Sequence, residues 1–530
     1  MKKQSESMKN KKECGVLCAV SSLPSPYGIG TLGKAAFDFI DLLAETGQNY
    51  WQMLPVNHTG YGDSPYAACS IYAGSPYLID VDLLIAEGLL TANDVKKYCG
   101  DSDKKKECGK VDYGWLYSTR YPLLKKAYSR YFYRFLNDEN TRNELENFEK
   151  SHPFLSDYAK FESLKEEYCG KPWIEWNSED KNAARREEDY DFYLVTFYKF
   201  LQLEFFKQFK AVKDYAHSKG VKIIGDLPIY AALDSSEVWA NKSLFELDKN
   251  GSPKLEAGVP PDYFSADGQL WGNPVYNVNK IKKQNYAFWI DRIRGALELY
   301  DVIRLDHFRG FESYYAIPHG MRDGKVGEWK KGFGRGLIDA MNKTFGADKF
   351  IAEDLGMITP AVKRLLKFSG YPGMKVLQFA FSFDKNNPYL PEKITYDSVV
   401  YTGTHDNDTL RGWISSLDCY VKAYAREVLG LKPENQSREK CDNGKNQENP
   451  PKVSVKNSPD EELAGAVIRA CMQSRAKIAI IPVQDYLKIG SEGRMNCPSV
   501  AQGNWTWRIK KQTYSKSLKK YMSSFADMRR

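Results

Sequence analysis

Eight short apolar runs, spread over nearly the whole chain, constrain the fold more than any other feature. They are GVLCAVS (15–21), NYWQMLP (49–55), VKIIGD (221–226), DVIRLD (301–306), KFIAED (349–354), KVLQFAF (375–381), SVVYTG (398–403) and AKIAIIPV (476–483). Most are rich in Val, Ile, Leu or aromatic residues without strict alternation, the pattern of strands buried on both faces of a parallel sheet. Helical patterns separate several of them, including AAFDFIDLLAETG (35–47), YAFWIDRIRGALELY (286–300) and AVKRLLKFSG (361–370). Strand, helix, strand, repeated eight times, is the organisation of an α/β protein with a (β/α)8 TIM barrel.

Two gaps exceed a simple crossover. Residues 57–219, rich in Tyr, Trp and charged helix formers, read as an inserted, mostly helical subdomain. Residues 227–276 end in the turn-rich AGVPPDYFSADGQLWGNPVY (257–276), expected to be an active-site lid loop over the barrel mouth. The segment 431–462 is polar and reads as a surface loop, and 1–13 reads as a polar tail. Everything from 14 to 530 is therefore expected to be one catalytic domain with insertions.

The net charge of +8 invites a nucleic-acid reading, but it sits at the ends. Residues 1–13 carry a net +3 and residues 508–530 a net +7, which leaves about −2 for the body. A phosphate-tracking groove is basic along its length, so solvated basic tails are the expectation and nucleic acid is not an expected partner. None of the ten cysteines are spaced C-x-x-C, and the six histidines form no H-x-H or H-E-x-x-H pattern. Neither a metal nor a cofactor is expected from such spacing. The polar start lacks an apolar signal core and no stretch approaches membrane-spanning length, so the expected setting is the cytoplasm with reduced thiols and no membrane partner.

Four of the runs deliver carboxylates at or just beyond their ends: Asp226, Asp306, Glu353 with Asp354, and Asp406 in TGTHDND. In this fold catalytic groups project from the C-terminal ends of different strands. One acid after a strand is ordinarily a helix cap, but several gathered in one mouth repel one another and are costly without a use. Glycosidic chemistry has such a use: a retaining enzyme needs a carboxylate nucleophile and a carboxylic acid roughly 5–5.5 Å apart. Arg304, two residues before Asp306, points to the same side of the strand and is expected to keep Asp306 ionised. The apolar FIA before Glu353 is expected to raise its pKa toward a general acid/base value. Spacing alone leaves the roles open. Asp354 and Asp408 are expected to be structural partners, and Trp505 and Trp507 packing.

The segments SSLPSPYGIG (21–30), GYGDSPY (60–66), AGSPYLID (73–80), GDLPIY (225–230), GVPPDYFSADGQLWGNPVY (258–276), IRLDHFRG (303–310), AEDLG (352–356), TGTHDND (402–408) and GNWTWR (503–508) resemble, in order, those of the amylomaltases. These are the 4-α-glucanotransferases of glycoside hydrolase family 77. The resemblance implies that Asp306 is the nucleophile, Glu353 the general acid/base and Asp406 the acid that holds hydroxyls of the distorted sugar. It implies substrate-binding roles for Tyr66, Asp226, Trp271, Asn273, Arg304, His307 and His405. The stretch Pro260–Trp271 resembles the lid and Tyr61 part of a secondary glucan contact. After Arg494-Met495-Asn496 this chain departs from the family's usual Pro-Gly-Thr and reads Cys497-Pro498-Ser499-Val500.

The implied activity is transfer of an α-1,4-glucan segment to the 4-hydroxyl of an acceptor, on maltooligosaccharides and α-1,4-glucans, without cofactor, by a monomer or simple homo-oligomer. An aromatic lid bearing Tyr263, Phe264 and Trp271 would exclude water and favour transfer. The 35 tyrosines and 11 tryptophans suit a sugar groove as well as a core. An α-amylase-type hydrolase with the same three acids is the alternative. A non-catalytic glucan-binding barrel would lack one acid, and a metal-dependent barrel hydrolase would need the missing histidine pairs.

Overall fold

The computed structural model describes residues 12–60, 62–100, 109–261, 265–433, 458–498, 500, 502–510 and 513–529. Eight parallel strands close into a barrel: β1 (Glu13–Leu17), β2 (Tyr50–Gln52), β3 (Lys222–Leu227), β6 (Val302–Leu305), β9 (Phe350–Ala352), β10 (Gly373–Val376), β11 (Ser398–Tyr401) and β12 (Ile478–Pro482), which returns to β1. Each apolar run supplies one strand. Ile223, Ile224, Ile303, Leu305, Ile480 and Ile481 are fully buried, as strands covered by helices outside and packed side chains inside require. The sixth strand begins two residues before the run that announced it, and Leu377–Phe379 turns into a 3-10 helix.

The helices Lys34–Glu45, Phe192–Ser218, Ala287–Leu299, Arg335–Phe345, Pro360–Ser369 and Pro459–Gln473 lie between successive barrel strands, and Lys516–Ala526 follows β12. The connection from β10 to β11 carries 3-10 turns only. The inserted region contains helices Val81–Ala86, Ala92–Cys99, Tyr113–Asn137, Glu139–Ser151 and Phe154–Glu167. Asp138 divides two of these: its extended backbone (φ −127°, ψ 120°) ends one helix, and its side chain caps the next by accepting from Asn140 N–H and Thr141 N–H. Phe192–Ser218, at the end of the expected insertion, packs against Phe154–Glu167 and leads into β3.

The segment 227–276 is not the loop its Pro and Gly content suggests. It holds β4 (Leu255–Val259) and β5 (Gln269–Pro274), which pair antiparallel and join β7 (Ser313–Pro318) and β8 (Glu328–Lys331) in a four-stranded sheet of order β5-β4-β7-β8. Ladder hydrogen bonds with β7 on the far side of β4 supply the regularity that local sequence does not. Tyr263 and Phe264 lie outside the described residues, as do Tyr61, Ser499, residues 1–11 of the expected tail and residues 434–457 of the expected surface loop.

The basic C-terminal segment is only partly a solvated tail. Arg508 and Arg529 are buried, and they donate to backbone carbonyls of Leu23 and Ser25, and of Glu13, Met472 and Ser474. There they satisfy carbonyls that the barrel would otherwise bury unpaired. Among the described residues no helix is long and apolar enough to cross a membrane.

Candidate active site

Strand register places the acids. Asp226, within β3, pairs in register with Arg304 of β6, and Leu305 pairs with Ala352 of β9. The next residue on each of those two strands is Asp306 and Glu353, so the two acids leave neighbouring strand ends side by side. Hydrogen bonds lock this arrangement. Glu353 N–H donates to Leu305 O at 3.1 Å, and Phe308 N–H donates to Glu353 O at 2.9 Å. His307 N–H donates to Glu353 Oε2 at 2.7 Å, and Leu355 N–H to Oε1 at 2.8 Å. Upstream, a Cβ on Gly225 would lie 2.0 Å from the Tyr300 ring, so only glycine lets the strand pass that ring immediately before Asp226.

Arg304 is the cation of this cluster. It is 4% exposed; its Nη1 donates to Asp226 at 2.6 and 2.8 Å and to Asp306 Oδ1 at 3.1 Å. One guanidinium thus serves two carboxylates, with the tighter contacts on Asp226. The expectation that Arg304 simply keeps Asp306 ionised is therefore incomplete. Burial pushes Asp306 up to about 8 against the pull of Arg304, and Asp226, Glu353 and Asp406 push the same way. Glu353 is also raised, by burial first, with Arg304 and its two backbone donors opposing. Acids with too few cations retain a proton, which general acid catalysis needs.

Asp406 comes from the other side of the mouth, in the loop after β11. Its side chain is 46% exposed and lies 3.3 Å from His405 Nε2. Tyr66, from the insertion, spans the gap: its hydroxyl donates to Asp226 Oδ2 at 2.7 Å, and its ring stacks on His405 at 5.1 Å. His307 has a left-handed backbone (φ 47°), a buried Nε2 with no hydrogen-bond partner and an edge-to-face contact with Trp271 at 5.0 Å. Burial, aided by Arg309, pushes His307 down to about 4, so its imidazole is neutral and able both to donate and to accept. Trp271 stands on β5, 36% exposed, and Asn273 on the same strand donates to Ala231 O at 3.0 Å. Hydrogen bonds and ring contacts thus link Tyr66, Asp226, Arg304, Asp306, His405 and Asp406 in one cluster, and Glu353 and Trp271 meet at His307.

Two neighbours were not legible from spacing. Asn496 Nδ2 donates to Asp406 Oδ1 at 2.6 Å, and Arg494 Nη2 donates to Asp406 O at 2.8 Å. The departing Cys497 follows directly, and its N–H donates to Asn504 Oδ1 at 2.9 Å, which pins that loop to the GNWTWR segment. Trp505 packs against Tyr66 and His405 at 5.7 and 5.9 Å and is 7% exposed. Asp354 accepts from Met374 N–H, and Asp408 accepts from Ser491 Oγ.

Known proteins match this chain throughout. The family model for 4-alpha-glucanotransferase covers residues 18–513. The 4-alpha-glucanotransferase of Clostridium butyricum is 40% identical over 507 residues, 94% of this chain and 96% of that protein. That of Thermus thermophilus is 41% identical over 505 residues, 93% and 94% respectively. The structure of Streptococcus agalactiae amylomaltase in complex with acarbose is similar with a TM-score of 0.86 at 35% identity, over 97% of this chain and 98% of that one. The chain belongs to the 4-alpha-glucanotransferase family, glycoside hydrolase family 77.

Proposed function

We propose that this enzyme transfers α-1,4-glucan segments by double displacement, with Asp306 as nucleophile, Glu353 as acid and base, and Asp406 as the clamp on sugar hydroxyls. The donor glucan lies across the rim with its scissile oxygen between Asp306 and Glu353. Asp306 Oδ attacks C1 while Glu353 gives its proton to the departing glycosidic oxygen, so the leaving chain departs with a free 4-hydroxyl. Arg304 contacts Asp306, and the positive charge growing at C1 favours the ionised carboxylate, so substrate localises the shared proton on Glu353. In the second half, Glu353 takes the proton of an acceptor 4-hydroxyl, whose oxygen displaces Asp306 from C1. Two inversions retain configuration.

The observation that carries this reading is the interlocking of the Asp306 and Glu353 strand ends, with Glu353 bonded to the residues on both sides of Asp306. Tyr66, Asp226, Trp271, Asn273, His307 and His405 are proposed to hold the reacting glucose and its neighbours. Maltooligosaccharides and α-1,4-glucans are the proposed substrates. A cytoplasmic setting is proposed, supported by free thiols at the eight described cysteines.

Maltotriose incubated alone tests the reaction. The expected products are glucose and a ladder of longer maltodextrins, and Glu353→Gln loses on the order of 10³-fold or more in turnover. Shortening without a ladder, or a fully active Glu353→Gln enzyme, contradicts the mechanism.

A further inference from the structure

We propose that His58, Cys69 and Glu162 form a buried site for one zinc-type divalent metal ion, at the root of the loop that carries Tyr66. One ligand atom from each residue lies within 4.8 Å of the others, and all three residues are buried. His58 Nδ1 and Glu162 Oε1 are 3.6 Å apart. A tetrahedral zinc ion, with bonds of roughly 2.0–2.3 Å, holds its ligand atoms roughly 3.3–3.8 Å from one another. The three groups therefore close on an ion by shifts of about 1 Å or less.

Two further observations point to a cation. Glu162 is 6% exposed, and its buried Oε1 has no nitrogen or oxygen donor; the Cys69 thiol is the group that hydrogen-bonds this carboxyl. A carboxyl so buried either carries a proton or meets a positive charge, and a bound cation would supply that charge in the proton's place. Lys165, one turn along the same helix, is paired with Asp234. The His58 ring is also held as a ligand's ring is held. Its Nε2 lies 2.8 Å from the Tyr121 hydroxyl, and a proton donated there leaves the Nδ1 lone pair accepting from the Tyr158 hydroxyl, a bond that an incoming ion would replace. The Tyr158 hydroxyl, 2.9 Å from Nδ1 and bonded by Gln202 Nε2 at 3.3 Å, is a fourth oxygen within reach.

The donor set selects the ion. Thiolate and imidazole favour borderline ions such as Zn²⁺, whereas Mg²⁺ and Ca²⁺ take oxygen ligands. A thiolate and a carboxylate neutralise the dication, so the loaded site buries no net charge, and loading releases the thiol proton to solvent. Position gives the site a purpose. Cys69 N–H donates to His58 O at 2.7 Å and Thr59 bridges to Ala68, so His58 and Cys69 close the base of the loop from which Tyr66 reaches Asp226. An ion there ties both ends of that loop to helix Phe154–Glu167.

The test uses the full-length protein. Metal content is measured by mass spectrometry after growth with zinc, and chelator-stripped protein is titrated with Co²⁺. The expected results are about one zinc per chain and a thiolate-to-cobalt charge-transfer band that Zn²⁺ abolishes. Cys69→Ala loses the band, and Glu162→Gln weakens Co²⁺ binding on the order of tenfold or more. Zn²⁺ raises the thermal midpoint of the stripped wild type, and at the same concentration raises that of Glu162→Gln less. Wild type that takes up no stoichiometric metal and shows no band overturns the proposal, whatever the variants do. A band that persists in Cys69→Ala also overturns it, because the thiolate is then another cysteine.

Discussion

Replacing Arg304 by Met removes the guanidinium from a cluster of carboxylates while keeping an apolar chain of similar length. Arg304 is 4% exposed and touches Asp226 at 2.6 and 2.8 Å and Asp306 at 3.1 Å. With charge centres about 4 Å apart and an effective permittivity of about 20, each contact is worth on the order of 4 kcal/mol. Breaking a buried pair by deleting one partner costs about 3–5 kcal/mol net. Asp226 is fully buried but the Asp306 side chain is 26% exposed, so the smaller part of that loss falls on Asp306 and turnover drops on the order of 10²-fold. The direction with pH follows from the same contact. Asp306 attacks as a carboxylate, burial already pushes it up to about 8, and Arg304 pulls it down. Without that pull it titrates higher, so the acidic limb of kcat/KM moves to higher pH. The assay is glucose release from maltotriose across a pH series, with circular dichroism to establish folding. Adding Asp226→Asn removes the stranded acid and should recover stability without recovering turnover. A folded Arg304→Met enzyme with nearly full turnover and an unmoved acidic limb refutes the reasoning.

Asn496→Ala deletes the 2.6 Å donor to Asp406 Oδ1, and because Asp406 is half open to water the expected loss in kcat/KM is about tenfold; an unchanged kcat/KM removes Asn496 from the positioning of Asp406. Asp306→Asn should raise thermal stability, and more at pH 8 than at pH 5. The wild-type carboxyl is raised from 3.8 to about 8 in the folded protein, so its contribution is present at low pH and lost as pH rises through that window, a loss that an amide avoids. Calorimetry giving a larger gain at pH 5 contradicts the assigned shift.

The barrel was legible because parallel strands covered on both faces are nearly continuous apolar runs, and Ile478–Pro482 or Val302–Leu305 has few other uses. The second sheet was not. The β8 strand is Glu-Trp-Lys-Lys and largely exposed, while β5 contains Gly272 and ends at Pro274; these residues become strands through pairing with β7 and β4 rather than through local preference. The candidate carboxylates could be read because each follows an apolar run. What each touches could not be read. Tyr66 reaches Asp226 across 160 residues, and Asn496 reaches Asp406 across 90, and no periodicity encodes such contacts. The division of Arg304 between Asp226 and Asp306 was hidden for the same reason, since Asp226 arrives on a neighbouring strand. His58, Cys69 and Glu162 likewise share no spacing pattern and meet only when the insertion folds onto the loop.

Trapping the covalent intermediate probes the proposed chemistry at its first bond. In Glu353→Gln, α-maltosyl fluoride supplies a leaving group that departs without a proton, while the absent base slows the second displacement, so the glycosyl-enzyme accumulates. Peptide mapping by mass spectrometry should find a maltosyl group on the peptide containing Asp306. A maltosyl group on Asp226 or Asp406, or fluoride consumed at full rate with no adduct at any stage, would contradict the assignment of Asp306 as the nucleophile.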